Sequence, residues 1–287
     1  MLKVLNIAQF IPVEGIYLDN DISMKIYADL KQRHGISTEF VKPVVDIPAW
    51  MAMIKKSLKA RRDVYLKPEY LDPSYNIRIH FFRSSFPVLH RVPVNKDLIL
   101  PLEYKFYGAG LTRIAADYNP ALVHAHTVYP DGFYALMLKR KLNIPYIITV
   151  RQPQPDLYFS RTGLAAMRNA SAITTPDYSL WKSLRNDFNV ELLPHGIDEK
   201  WFSLAPKTFV NGSLKLVSVC RLLRMKNIQV VLRTVSRLVR AGYNVKYDII
   251  GGGDYRSSLE RLTAELEIQE HVIFHGFRDQ DYIIHAL

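Results

Sequence analysis

The sequence predicts an α/β protein in which parallel strands alternate with helices. Its clearest unit begins with a β-branched apolar run, Leu214–Val219, followed by apolar residues at three- and four-residue spacing. A second strand, Val245–Ile250, runs directly into Gly251-Gly252-Gly253, and another helical pattern follows. This succession is typical of an open parallel sheet, in which ligands bind outside the carboxyl ends of the strands.

Length and composition limit the classes of protein to consider. The 287 residues suffice for two modest domains, and 48% hydrophobic with 23% charged residues is ordinary for a globular protein. The apolar runs are strand-sized, so no transmembrane helix is predicted, and the N-terminus lacks a signal-peptide cleavage site. The single cysteine, Cys220, excludes an internal disulfide framework. We therefore expect a cytoplasmic protein, with peripheral attachment to the inner face of the membrane as an alternative.

A formal net charge of +11 raises the question of an anionic partner. Five of the eight residues from Lys55 to Arg62 are basic and none is acidic. This segment could be a solvated helix face or a patch that docks on anionic lipid headgroups. Nucleic-acid binding is least favoured, because no recognised binding motif accompanies the charge.

In the first part of the chain the hydrophobic pattern predicts strands and helices clearly up to about residue 35 and less clearly after it. A strand over Val4–Gln9 is followed by a loop that contains Gly15 and by a helix over Asp19–Arg33. From residue 36 to 119 the pattern is broken by prolines. It shows strands near Glu39–Val41 and Ile77–Phe82 and an amphipathic helix in AWMAMIKKSLKARR.

Two histidines follow a short buried strand, Ala121–Ala125. His124 and His126 are two residues apart and would point to the same side, but no third ligand lies at useful spacing, so no metal site is predicted. A structural role is favoured for His124, whereas for His126 a structural role and a functional role are both retained. Asp131 is interpreted either as a helix N-cap or as a contact to a sugar.

Later strands carry further candidates at their ends. Strands are predicted at Pro145–Val150, which ends at Arg151, and at Ser171–Pro176 and Val190–Leu193. The segment His195-Gly196-Ile197-Asp198 closes the first domain, and a polar linker is predicted over Glu199–Gly212. In the second half, Arg221 and Lys226 follow a strand end and could hold a diphosphate, while the glycine run lets a backbone approach a bulky group.

The glycine run leaves two other interpretations. A dinucleotide site is disfavoured, because the run lacks G-x-G-x-x-G spacing and no clean ribose-binding acid follows the next strand. A tight turn that binds no ligand stays open.

Several segments, in order, resemble the GT-B glycosyltransferases, the large retaining family of sucrose-synthase and mannosyltransferase type. The resemblance extends from about Pro120 to the end of the chain. The segments are VHAHTVYPDGFYALMLKRKLNIPYIITV, LLPHGIDEKWF, SVCRLLRMKN, YDIIGGGDYRSSLERL and VIFHGF.

The resemblance implies two Rossmann-like domains that face each other across a cleft, with an acceptor-side domain over residues 1–200 and an incomplete donor domain over residues 201–287. It implies that Arg221 and Lys226 grip the donor diphosphate and stabilise the leaving group, and that His126 acts on the acceptor side. No metal or cofactor is expected. The residues expected near the donor are Gly15, Gly252, Gly253, His275 and Gly276.

The chain departs from the family pattern at several positions. Gly15 stands where a glycine pair is usual, and His195 where asparagine is usual. Nothing matches the family's pair of glutamates seven residues apart, so we expect either a fragment, which we favour, or a chain without catalysis.

The predicted function is the transfer of a sugar from a nucleotide-diphosphate sugar to a saccharide or lipid-linked saccharide. The alternatives are a non-catalytic module that binds nucleotide sugars and, less favoured, an NAD-dependent dehydrogenase or epimerase.

Overall fold

A computed structural model describes most of the chain and divides it into two compact units, Met1–His195 and Gly196–Leu287. The sequence-based boundary at residue 200 lies five residues further along. The structure describes residues 1–9, 11, 13, 22–45, 47, 49–54, 56–85, 95–151, 158–196, 199–203 and 212–287. Gly15 and Lys55 lie outside these ranges.

The first unit is built on an eight-stranded sheet with the order β3-β4-β2-β1-β5-β6-β7-β8. Of the described strand pairs in this sheet, only β3 with β4 is antiparallel. The predicted strands are present, and β2 is longer than predicted because it continues through Pro43. The strands are β1 (Lys3–Ile7), β2 (Ser37–Val45), β3 (Glu69–Asp72), β4 (Ile77–Ser85), β5 (Leu122–Ala125), β6 (Tyr146–Thr149), β7 (Ala172–Thr175) and β8 (Val190–Leu192).

Helices cover this sheet. The predicted amphipathic helix in AWMAMIKKSLKARR is divided between α2 and α3, and the long helix α4 was not predicted. The helices are α1 (Ile22–His34), α2 (Ala49–Ile54), α3 (Lys56–Tyr65), α4 (Lys96–Tyr118), α5 (Phe133–Leu142), α6 (Arg161–Asn169) and α7 (Tyr178–Leu184).

The central strands of the first unit are buried on both faces. Leu5, Ile7 and Val123 have no exposed surface, as expected for parallel strands that are covered by helices on both sides. Two polar side chains in these strands, Asn6 and Lys42, are also buried. A buried polar group is costly unless it is hydrogen-bonded, so these two residues indicate where the polar contacts lie.

The second unit has a three-stranded parallel sheet with the order β11-β10-β9. The predicted strands and the helix between them are confirmed, and Gly242, with φ of +84°, follows the helix. Asn227 precedes the helix, but its side chain makes no capping hydrogen bond. The elements are β9 (Ser213–Val219), α8 (Ile228–Arg240), β10 (Asn244–Ile250), α9 (Arg256–Glu265), β11 (Val272–Gly276) and α10 (Gln280–Ala286).

Among the described residues, no helix is long and apolar enough to cross a membrane.

Candidate functional site

The carboxyl edge of the first sheet gathers polar residues from three neighbouring strands. β1, β5 and β6 are adjacent, and the residues that follow them include Gln9, His126 and Arg151. Since all three strands are parallel, these residues lie at the same edge, where open α/β sheets bind ligands.

His126 is buried, and both of its ring nitrogens have partners. Nδ1 lies 3.2 Å from Arg151 Nη2 and Nε2 lies 3.1 Å from Asn6 Oδ1. A guanidinium can only donate, so Nδ1 accepts, and Nε2 carries the proton that it donates to Asn6. Burial, with the nearby His124 and Arg151, holds the pKa of His126 well below its usual range. His126 is therefore a neutral imidazole in a fixed tautomer, and its predicted acceptor-side role stays a prediction.

His124 has a structural role, as predicted. Its Nδ1 is hydrogen-bonded to the Tyr27 hydroxyl on α1, and its Nε2 lies 2.7 Å from Thr149 Oγ1 on β6. The His124 and His126 rings stack with centroids 4.3 Å apart, which confirms that both point to the same side. Burial lowers the pKa of His124 to about 3, with a further contribution from Arg151.

No group of three or more His, Cys, Asp or Glu residues is arranged to hold a metal ion in the described part of the chain.

Asp131 is fully buried in a five-residue π-helical turn, Val128–Gly132. The N-cap of α5 is Gly132, so the N-cap interpretation of Asp131 was wrong. Its Oδ2 accepts a hydrogen bond of 3.0 Å from Thr127 Oγ1, and its Oδ1 has no partner that meets hydrogen-bond geometry. Burial raises the pKa of Asp131 to about 7, although Thr127, the Gln9 backbone, Lys42 and Arg151 oppose this shift.

Lys42 is a buried cation that the sequence analysis missed. It lies on β2 with 2% of its surface exposed, and its Nζ lies 2.7 Å from both Gln9 O and Ile11 O. The signal that could have found it is a lone lysine, next to Pro43, in the otherwise apolar run FVKPVV.

The carboxyl end of β9 in the second unit presents two exposed cations. Arg221 lies in the loop after the strand, and Lys226 ends the short 3-10 turn Arg224–Lys226. Lys226 is close enough to Cys220 to lower the pKa of its thiol, but burial is the stronger effect and raises that pKa. Cys220 is therefore a packed thiol and not an activated nucleophile.

The three glycines after β10 pack against the chain itself. A Cβ at Gly251 would lie 2.0 Å from Cys220 O, one at Gly253 2.4 Å from Leu222 O, and one at Gly252 2.5 Å from the Phe277 ring. These approaches account for all three glycines by the close packing of a tight turn. Contacts from Gly252 and Gly253 to a donor stay a prediction.

His275 and Gly276, at the end of β11, belong to local networks. His275 Nε2 lies 2.6 Å from Asp248 Oδ1, and Nδ1 lies 2.9 Å from the Tyr282 hydroxyl. Gly276 has φ of +70° and accepts a 2.8 Å hydrogen bond from Gly251 N. Both ring nitrogens of His275 are therefore engaged within the second unit. A contact to the donor base stays a prediction for both residues.

Two family models match consecutive parts of the chain. Glycosyltransferase Family 4 matches residues 66–201, and Glycosyl transferases group 1 matches residues 199–287. The chain belongs to the GT-B glycosyltransferases of the family 4 type.

Curated relatives of this family member are distant. An alpha-monoglucosyldiacylglycerol synthase of Streptococcus pneumoniae is 25% identical over 192 residues, which are 57% of this chain and 43% of the relative. The amylovoran biosynthesis glycosyltransferase AmsK of Erwinia amylovora is 30% identical over 88 residues, which are 31% of this chain and 22% of the relative. The chain thus spans less than half the length of either relative.

Solved glycosyltransferases share the fold. TarM has a TM-score of 0.60 at 12% identity, covering 98% of this chain and 78% of TarM. A glycosyltransferase from Rickettsia africae has a TM-score of 0.57 at 14% identity, covering 99% of this chain and 70% of that protein. At these identities the likeness shows the fold alone.

Proposed function

We propose that this protein transfers a sugar from a nucleotide-diphosphate sugar to a saccharide or lipid-linked saccharide in the synthesis of a cell-surface glycan. The observation that carries the proposal is the pair of exposed cations, Arg221 and Lys226, at the carboxyl end of β9. Membership of the family supports it, and so do the names of the relatives, one a glycolipid synthase and one an exopolysaccharide enzyme. Retention of the anomeric configuration and independence of a metal follow from the family resemblance.

The two cations would do most of the chemistry on the donor side. Negative charge accumulates on the leaving diphosphate as the bond between its oxygen and the anomeric carbon of the sugar breaks and the acceptor oxygen bonds to that carbon. Fixed cations stabilise this charge more in the transition state than in the ground state. Arg221 offers a planar fork of donors and Lys226 a compact point charge, which together suit a diphosphate.

On the acceptor side, the proposal assigns the carboxyl edge of the first sheet. His126 is held there as a neutral imidazole, and Arg151 lies against its Nδ1. An acceptor hydroxyl could be oriented by these groups, but His126 would accept a proton at Nδ1 only after Arg151 moves.

The test is turnover of nucleotide sugars. UDP-glucose, UDP-galactose and GDP-mannose would be incubated with the protein and with vesicles that contain diacylglycerol or glucosyldiacylglycerol, and released UDP or GDP would be measured. Release that depends on the acceptor supports the proposal. Calorimetric binding of UDP or GDP without any turnover would favour the non-catalytic module, and absence of both would reject the proposal.

The proposal also includes an anionic membrane surface as a partner of the basic segment Lys55–Arg62. On α2, the side chains of Trp50 and Met53 are 59% and 82% exposed, and Lys59 on α3 is exposed. Exposed apolar residues next to cations are typical of helices that lie on membranes. We expect Arg62 to contribute less than Lys59 to lipid binding, because its Nε donates a hydrogen bond of 3.2 Å to Ile47 O.

Vesicle binding tests the membrane partner. Vesicles with anionic lipid should bind the protein and, in a variant in which Trp181 and Trp201 are replaced by phenylalanine, shift the Trp50 emission to the blue, whereas zwitterionic vesicles should not. Lys59→Glu should weaken binding severalfold, and Lys182→Glu, which changes an exposed lysine on α7, should not. Equal effects of the two substitutions would contradict the assignment.

A further inference from the structure

Lys42 holds the segment that follows β1. Its ammonium donates to the carbonyls of Gln9 and Ile11, both at 2.7 Å, from a position that is 2% exposed. A buried ammonium is costly unless its hydrogens are bonded, and the two carbonyls lie where the strand ladder has ended. The contact therefore satisfies Lys42 and the backbone of the segment together.

Asp131 acts on the same segment from the other neighbouring strand. It lies in the turn after β5, and the backbone amide of Gln9 and the charge of Lys42 both favour its ionised form. Thr127 donates to its Oδ2 at 3.0 Å. Gln9 is thus held at its carbonyl by a cation from β2, and its backbone amide is near enough to Asp131 to lower the pKa of that carboxyl group.

The rest of the segment is anchored by burial. Ile11 and Val13 are 3% and 1% exposed. Ala8 N donates to Val41 O and His126 N donates to Ile7 O, both at 3.0 Å, so the start of the segment lies between the ends of β2 and β5. The described residues that follow β1 are therefore fixed next to His126.

We infer that Lys42 is a positioning residue for the acceptor side of the site, which it serves by fixing Gln9 and Ile11 beside His126. The inference rests on the proposed function for the acceptor-side role of these residues, but not for their attachment to Lys42. The two short hydrogen bonds and the complete burial of the side chain carry it.

The experiment compares Lys42→Met, which removes the donors at similar length, with Lys42→Gln, which keeps one amide donor group. Lys3→Met is the matched control, because Lys3 is on β1 of the same sheet and donates to Tyr118 O at 3.0 Å from an exposed position. Hydrogen exchange by mass spectrometry reports on residues 8–13. With an acceptor that the wild type uses, kcat and both KM values are measured.

Exchange in residues 8–13 should rise at least about tenfold in Lys42→Met, since two hydrogen bonds from a charged donor are lost, and rise less in Lys42→Gln. Acceptor kcat/KM should fall about tenfold, with partial recovery in Lys42→Gln, while the donor KM stays within about twofold. Lys3→Met should change neither quantity.

Two results would overturn the inference. One is a hydrogen-exchange rate of residues 8–13 in Lys42→Met that equals the wild-type rate. If that variant does not fold, the same result in Lys42→Gln would overturn the inference. The other is faster exchange with acceptor kinetics equal to those of Lys3→Met, which would make Lys42 a stabilising residue only. A wild type that transfers no sugar rejects the proposed function instead, and the exchange measurement still decides whether Lys42 fixes the segment.

Discussion

The two sheets present different kinds of chemistry at their carboxyl edges. In the first unit His126 and Asp131 are buried, bonded to neighbours and shifted in pKa. In the second unit Arg221 and Lys226 are exposed at a loop that packs on a glycine turn. The first edge is suited to orienting a neutral hydroxyl, and the second is suited to attracting an anion from solvent.

This difference separates the two ways in which a substitution can harm the protein. Changes at the buried edge should alter folding and geometry together, because His126 and Lys42 there are bonded to β1 or to the residues that follow it. Changes to the exposed cations should alter ligand binding with little effect on stability. The glycine turn is the exception in the second unit, since its packing is as close as that of any core residue.

The largest expected effect is at Gly251. Alanine there would place its Cβ 2.0 Å from Cys220 O at φ of +132°, so the second unit should lose more than about 3 kcal/mol of unfolding free energy. Gly242→Ala is the matched control, because Gly242 has φ of +84° but no neighbour within 4 Å, and it should cost about 1 kcal/mol. Denaturant titrations measure both, and equal costs would show that the loops do not pack as described.

The next effect is on ligand binding. Arg221→Ala should weaken binding of UDP or GDP roughly tenfold or more, because a charge-assisted contact to the diphosphate is lost. Arg256→Ala should weaken it less than about threefold, because Arg256 is bonded to Glu260 at 2.7 Å and lies over the Phe274 ring. Calorimetry would compare them, and equal losses would remove Arg221 from the donor site.

A further effect concerns the pH dependence of stability and the buried carboxyl group of Asp131. The pKa of Asp131 is raised to about 7, so between about pH 4 and 7 the folded protein keeps a proton that the unfolded chain has released. The carboxyl group of Asp131 therefore makes the unfolding free energy fall as the pH rises through that range. Buried His124, whose pKa is lowered, has the opposite effect: it makes the unfolding free energy rise with pH up to about pH 6.5.

Asp131→Asn isolates the contribution of the carboxyl group. Relative to wild type, the variant should gain about 2 kcal/mol of unfolding free energy between pH 5 and pH 7.5. Urea titrations at the two pH values provide the test. The same pH dependence in both proteins would mean that Asp131 is already ionised at pH 5.

The sequence predicted the second unit well because its signals are local. A β-branched run, a clean helical period and Gly242 identify β9, α8 and the turn after it without any tertiary information. The same approach missed α4 in the first unit. Leu98, Leu102 and Phe106 lie on its exposed face, so the contrast between apolar and polar positions that defines an amphipathic helix is weak there.

The polar contacts of the candidate site could not be predicted in the same way. Lys42 reaches carbonyls more than thirty residues earlier in the chain, and His126 is bonded to Asn6, which is 120 residues away. Such pairs depend on strand order and register, which residue spacing does not determine. The sequence could identify which residues are unusual for their surroundings, but the structure was needed to identify their partners.

The packing of the glycine turn on the loop of Arg221 also bears on how fast a ligand can be captured. Backbone hydrogen bonds from Cys220 N to Ile250 O and from Leu222 N to Gly252 O hold the chain on both sides of Arg221. A diphosphate that arrives there needs to immobilise one side chain and not a loop, so little conformational entropy is lost. We therefore expect association to be limited by diffusion and charge, and to slow steeply as the ionic strength rises.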